Sequence, residues 1–508
     1  MQIGKPINID YIANFGLKLT SSLKLLGVNI PVDLSKLFDV NFPQIINKAK
    51  NIIQVWKMRN LTLLGKVCII KTLIASLFTY SFTYIPASIP DRYIKSLNAA
   101  LYHFLWNSNW ERVKRKTLIG PKMLGGIDMI DVHSFIIAQK IKWVGFLLDD
   151  AKVCKWKLVE FNYLNDLDLA SLLKGNLFRN SHFIKNIPFI TIKDMLVYWY
   201  NFKNIVTNVH ILNQSIWYNR KLQYSRKPFY ISTWKEHGIS ELKHLISSNT
   251  FYTYFELISK YCMPYNANDY KTYYKIIGSI PEEWNEIAQS CDDFCDFDFS
   301  AFLSFTTKNF SCKNAYRIMI GKIFVPPDMY KSFWQESFNI PCVEWNKYFT
   351  NSYLSTIETK LRSFQIKFFY KARVLNNVLY GFGLVETNLC EFCKLHIETL
   401  LHLFYNCPIT SEFWSDIDQW IVFKTDNLNF NLGMKECFIG FDDISDMQFI
   451  NCVLLAARFF IYRCRIQKRK PVFDVFNKFI SDIRNNEKYI AMKNGKIMIH
   501  NTKWRLFI

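Results

Sequence analysis

The amino-acid sequence predicts a mainly α, multi-domain protein. Its 508 residues are more than one hydrophobic core ordinarily organises. Half are hydrophobic and 17% aromatic, which supplies several cores and excludes disorder as the main theme. Only 17 Gly and 15 Pro are present, too few for a collagen-like or linker-dominated chain and few for strands joined by tight turns.

Five segments are expected along the chain. In residues 1–42 the apolar run at 23–30 reads as a strand pair turning at Gly27. Residues 43–165 form a basic, helix-rich block punctuated by Pro86, Pro90 and the Gly125–Gly126 pair. Within it Ile45, Ile46, Ala49, Ile52, Ile53 and Trp56 recur at three- and four-residue intervals, one apolar helical stripe. The uncharged stretch 72–89 is the nearest thing to a membrane span, but its many hydroxyl groups and Pro86 read as a buried helix. Residues 166–345 are a connecting region rich in Tyr, Phe and Asn, residues 346–430 carry the densest chemistry, and residues 431–508 are helical and basic again.

Lys and Arg number 63 against 42 Asp and Glu, a net charge of +21 that suits a polyanionic partner, nucleic acid or an acidic membrane surface. Between residues 43 and 122 thirteen basic residues face only Asp91 and Glu111, so about half of the excess lies in 80 residues. Lys48, Lys50 and Lys57 fall off the apolar stripe, where they can meet a phosphate backbone or simply face water. The candidate phosphate contacts of the block are Lys57, Arg59, Lys66, Arg112, Lys114, Arg115, Lys116 and Lys122. A second basic run follows the helical face of Val453, Ala456, Ala457, Phe460, Ile461 and Cys464, with Arg458, Arg465 and Arg469 opposite. It reads either as a basic amphipathic helix for nucleic acid or membrane, or as a plain surface helix.

The strongest local signal is C-x2-C-x8-H-x4-C, formed by Cys390, Cys393, His402 and Cys407. Three thiolates and an imidazole make a closed tetrahedral set for Zn²⁺ that leaves no position for a reactive water, so the metal is expected to be structural. His396 is a competing ligand less well spaced, and reduced buried cysteines without metal are the alternative. So short a segment buries little apolar surface alone, and the metal is expected to carry much of its folding free energy. Phe404, Phe413 and Trp414 either offer a face for unpaired bases or pack on helices around Trp420. The remaining cysteines, thirteen in all, have no disulfide framework, and Cys291 and Cys295 lack a nearby partner. No basic-then-apolar leader opens the chain, so nucleus and cytoplasm are expected. Gly-rich phosphate loops, H-E-x-x-H and G-x-S-x-G are absent. Adjacent aspartates occur at 149–150, 292–293 and 442–443, and Asp442–Asp443, with no upstream strand bearing a third aspartate, reads as a polar loop.

Taken together these blocks resemble the C-terminal part of the proteins of LINE-type (non-LTR) retrotransposons. SSLKLLGVNI is similar to the hairpin that ends the reverse transcriptase palm, and residues 56–86 to the thumb. FLWNSNWERVKRKTLIGPKMLGGIDMIDV resembles the stretch that follows, and SIWYNRKLQYSRKPFYISTWKEHGI with IPEEWN the middle region. The Cys-rich segment, with Glu398–Thr399 before His402 and Phe413–Trp414 after Cys407, is similar to the family's C-terminal zinc domain. The resemblance implies a palm remnant (1–42), a basic helical thumb-like domain (43–165), a connecting region, a reverse transcriptase zinc-binding-like domain (346–430) and a basic helical tail. It implies sequence-tolerant binding of RNA, RNA–DNA hybrid or DNA, with no membrane and no small-molecule substrate. The endonuclease and the magnesium-binding palm have no counterpart, so no catalytic residue is expected and the chain reads as a truncated copy. The alternatives are part of an active RNA-directed DNA polymerase completed by upstream sequence, and a host-recruited interaction protein.

Overall fold

The computed structural model describes residues 20–108, 110–148, 168–177, 181–207, 210–247, 250–290, 311–340, 343–425, 432–443 and 447–507. Helices dominate, and among the described residues the strands make only three two-stranded hairpins. The mainly α expectation holds. The Cys291–Cys295 pair and the aspartates at 149–150 and 292–293 lie outside the described residues. The chain divides into two units, each discontinuous: Met1–Lys50, Ile74–Asn98 and Asp131–Ile323 make one, and Asn51–Leu73, Ala99–Ile130 and Phe324–Ile508 the other. The sequence-defined block 43–165 is thus shared between them, whereas residues 346–430 and 431–508 belong to a single unit.

In the first unit the expected strand pair forms, Ser22–Leu25 against Val28–Pro31, antiparallel. Leu26 and Gly27 both take positive φ (47° and 85°), the geometry of a two-residue hairpin turn that glycine makes inexpensive. Asn41 anchors the hairpin: its Oδ1 accepts from the Asn29 amide (2.9 Å) and its Nδ2 donates to the Asn29 carbonyl (2.7 Å). The Leu37–Lys57 helix buries Phe38, Phe42, Ile46 and Ala49, while Lys48 and Lys50 are exposed as the stripe predicts. Phe42 stacks on Phe82, with ring centroids 5.9 Å apart. Deeper in this unit the Lys140 ammonium is buried against the Asp194 carboxylate and the Ile85 carbonyl. The Ile190–Val206 helix caps the end of Leu169–Lys174, because Trp199 and Tyr200 donate to the Leu173 and Leu172 carbonyls and Lys203 to those of Lys174 and Gly175. The burial that this requires pushes the Lys203 ammonium down to about 7.

The stretch Leu63–Tyr84 is one helix, with a π turn at Ile70–Ile74, and by length and composition it could cross a membrane. One third of its most apolar window is buried. Ile70, Ile74, Phe78 and Phe82 are inside and Leu73, Tyr80 and Tyr84 exposed, so the expected buried helix is buried on one side only.

The second unit has one large core. The Gln448–Ile466 helix lies inside it, with fourteen of its nineteen residues buried. The helices Trp345–Ser355, Thr359–Phe369, Pro408–Thr425 and Phe473–Lys493 supply side chains to the same core. Gly125 and Gly126 close a tight loop here. Gly125 sits at φ 95°, and a Cβ on Gly126 would stand 1.8 Å from the Gly120 carbonyl oxygen, so no other residue fits without moving the backbone.

Asp442 and Asp443 occupy a loop after the Met434–Ile439 helix. Glu487, by contrast, is buried. Glu487 accepts from Thr356 Oγ1 (2.7 Å), the Ile357 amide (3.1 Å), Lys503 Nζ (2.6 Å) and Trp504 Nε1 (2.9 Å). Burial alone would push its carboxyl up, but Lys503 and these donors outweigh burial and hold it below the ordinary range. Replacing Glu487 with Gln should cost roughly 3–5 kcal/mol at neutral pH, as when a buried ion pair is broken from one side. A depressed carboxyl contributes fully above its unfolded value, about 4.3, and its contribution fades as pH falls through the folded value. Urea unfolding of both proteins between pH 3 and 8 should show the gap closing on the acid side, and a gap independent of pH would contradict this assignment.

Candidate metal centre

The residues 388–407 are folded locally before any ion is considered. An antiparallel bridge joins Leu389 to Ile397, and the Cys390 amide donates to the His396 carbonyl (2.8 Å). Lys394 donates back to the Cys390 carbonyl (3.0 Å) and takes φ 57°, which turns the chain sharply after Cys393. This turn presents both thiols of the C-x2-C pair on one side.

His402 and Cys407 are brought together differently. Five residues apart, they would lie about 140° apart around an α-helix. His402–Asn406 is instead a π turn, closed by the Cys407 amide donating to the His402 carbonyl at 2.8 Å. The wider turn places the two side chains on the same face. Thr399 Oγ1 accepts from the His402 amide (3.1 Å), and Trp414 Nε1 donates to the Phe404 carbonyl (2.6 Å), so the turn's orphan groups find partners. Cys407 then opens the Pro408–Thr425 helix, whose first turn stabilises a thiolate.

Among the described residues the donor atoms of Cys390, Cys393, His402 and Cys407 all lie within 4.8 Å of one another and could hold a metal ion. Cys390 Sγ is 3.9 Å from Cys407 Sγ, and Cys393 Sγ is 3.3 Å from His402 Nε2. A tetrahedral ion about 2.3 Å from sulfur and about 2.0 Å from nitrogen needs these pairs about 3.8 and about 3.5 Å apart. The residues fit. Charge points the same way: Cys407, accepting a hydrogen bond from the Cys390 thiol, is pushed down to about 5, while that thiol is pushed up. Without an ion the pair shares one proton, and a bound cation would let both sulfurs be thiolates. His396, with its ring centroid 5.2 Å from that of His402, stands outside the set and serves through its carbonyl.

Glu398 supports the site from behind, a role that sequence reasoning left to the family pattern. It is fully buried, and its oxygens accept from the amides of Asn376 (2.8 Å) and Glu391 (2.9 Å) and from Arg465 Nε (2.9 Å). Two expectations are corrected here. Arg465 is the counter-ion of Glu398, and Arg458 is buried, donating to Gln365 Oε1 (3.2 Å) and the Cys437 carbonyl (2.9 Å). Of the three expected face residues only Arg469 is exposed. The helix that carries Arg458 and Arg465 is enclosed by other elements of the core there, so these two side chains meet protein and not water. Phe404, Phe413 and Trp414 are likewise buried, Phe413 against Phe460 and Phe476, so they offer no face to bases. With Leu400 and Leu403 in the same core, the segment also has apolar support that its length did not suggest.

The candidate phosphate contacts separate into groups. Lys57, Arg59, Arg112, Lys114, Arg115, Lys116 and Lys122 are exposed. Arg59 lies over the Trp56 ring (4.5 Å), Lys57 Nζ is 3.0 Å from His103 Nε2, Arg115 pairs with Glu111, and Lys122 is 3.9 Å from Asp128. Lys66 is buried, bound to Asn107 Oδ1 (2.7 Å) and the Leu105 carbonyl (3.4 Å), which corrects its placement among surface residues. Burial, then the charge of Lys57, pushes it down to about 8. No family model matches the chain.

Protein purified without chelator is expected to carry one metal ion per chain by elemental analysis. Cys393→Ser should remove it and open residues 388–415 to protease, and metal-free wild-type protein would refute the site.

Proposed function

We propose that the chain is a nucleic-acid-binding protein stapled by a structural Zn²⁺, acting as the C-terminal portion of a LINE-type reverse transcriptase. The observation that carries this reading is the closed set of three thiols and one imidazole, in a unit that also exposes Lys57, Arg59, Lys114, Arg115, Lys116 and Lys122. Thiolate and imidazole donors in a tetrahedral set favour Zn²⁺. With all four positions filled by protein, the ion lends rigidity and no chemistry.

Binding is proposed to be sequence-tolerant, since Lys and Arg meet phosphates and read no base edges. RNA, RNA–DNA hybrid and DNA are the partner class. The chain is proposed to perform no polymerase chemistry itself.

A salt series tests the reading. Replacing Lys114, Arg115 and Lys116 together with Gln should weaken binding to unrelated oligonucleotides about equally. The slope of log K against log salt should flatten by roughly 0.7–0.9 for each phosphate that is no longer neutralised. Fluorescence anisotropy with labelled single strands and hybrids measures this, and an unchanged slope would return these residues to the solvated surface.

A further inference from the structure

Four cations in the second unit converge without a counter-ion. Lys66 lies on the Leu63–Ile69 helix and Lys367 on Thr359–Phe369. These helices meet where the Leu64 amide donates to Ser363 Oγ (3.4 Å), and Lys367 lies one turn beyond Ser363 on the same face. Arg112 donates through its guanidinium to the Ala372 carbonyl, which places it beside Arg373. Arg373 is stacked on the rings of Tyr462 (4.5 Å) and Phe364 (5.4 Å), and Lys66 on that of Phe104 (5.5 Å). Those contacts hold the cations in place and neutralise none of them.

The charges of its neighbours bear on the Lys367 ammonium. Burial pushes Lys367 down to about 8, and Arg373, Lys66 and Arg112 push it the same way. Among the described residues none of the four forms an ion pair with a carboxylate, and the Arg373 Nε is buried with no hydrogen-bond partner. Such a group of like charges, with Lys66, Lys367 and Arg373 partly or wholly desolvated, is costly. Two guanidiniums and two ammoniums match the oxygens of one phosphate group, the guanidiniums by paired donors and the ammoniums as point charges. The charge of exposed Lys57 also acts on Lys66, so the cations continue to the surface, as a chain of phosphates requires.

We propose that Lys66, Arg112, Lys367 and Arg373 form a phosphate subsite that takes one backbone phosphate of the bound nucleic acid, a statement that rests on the nucleic-acid reading above. Lys367 and Arg373 lie outside the block 43–122, yet five basic and no acidic residues occur between Lys360 and Arg373, a signal available in the sequence.

Lys367→Gln gives a test with two readouts of opposite sign. Removing a repelled charge should raise the thermal midpoint of the ligand-free protein. The same change should weaken oligonucleotide binding and flatten its salt slope by roughly 0.7–0.9. Inorganic pyrophosphate should raise the midpoint of the wild-type protein more than that of Lys367→Gln, and an oligonucleotide should compete with it. A lower midpoint in the variant overturns the proposal, because Lys367 then serves the fold. Unchanged oligonucleotide affinity in a variant whose parent binds tightly also overturns it, while leaving the general nucleic-acid reading standing. Pyrophosphate binding that no oligonucleotide displaces overturns the backbone phosphate as the ligand. A wild-type chain that binds no oligonucleotide at all overturns both readings, and the exposed triple variant then shows no salt slope to lose.

Discussion

The Gln448–Ile466 helix is enclosed on nearly every side, and each polar group it buries must therefore find its partner inside the protein. Much of the second unit is arranged by that requirement. Asn451 Oδ1 accepts from the Phe441 amide (2.8 Å) and its Nδ2 donates to the Phe441 carbonyl (3.1 Å), which ties down the loop of Asp442 and Asp443. Arg458 links the helices Thr359–Phe369 and Met434–Ile439 through Gln365 and the Cys437 carbonyl. Arg465 reaches Glu398 and Asn376. One buried element thus fixes the supports of the metal loop as well as those of the core.

The metal centre depends on this support as much as on its own ligands. Glu398 holds the amide of Glu391, the residue after Cys390, and is itself neutralised by Arg465. The thiols of Cys390 and Cys407 are fully buried, so the site is part of the core and not an appended finger. Burial raises the electrostatic cost of two adjacent thiolates and makes a bound cation correspondingly more valuable.

What was legible in the sequence followed from spacing and from one-sided patterns. The C-x2-C-x8-H-x4-C spacing found the four residues whose donor atoms converge, and the run around Gly27 found the hairpin. The stripe from Ile45 to Trp56 found a helix whose off-stripe lysines are exposed. Arg458 and Arg465 were misplaced for a physical reason: periodicity gives a helix two faces but cannot tell whether water or another layer of protein meets the polar one. Lys66 was misplaced likewise, since only tertiary packing puts Asn107 within reach of its ammonium. Glu398 is marked in sequence only by the family pattern, and its supporting role shows only in its burial and hydrogen bonds.

The π turn at His402–Asn406 gives the metal centre an unequal tolerance of evolutionary change. Leu403 and Phe404 within the turn can drift among apolar residues of similar volume, because the backbone hydrogen bond from Cys407 to His402 sets the geometry. Chain length there cannot drift. Losing one residue would tighten the turn towards an ordinary helix and shift every later residue of Pro408–Thr425 by about 100° around its axis. Cys407 and the Trp414 indole would leave their partners together. At Lys394 and Leu395 the side chains are exposed and outside the core, so their chemistry is free to vary, but the Lys394 amide bonded to the Cys390 carbonyl holds the chain length there too.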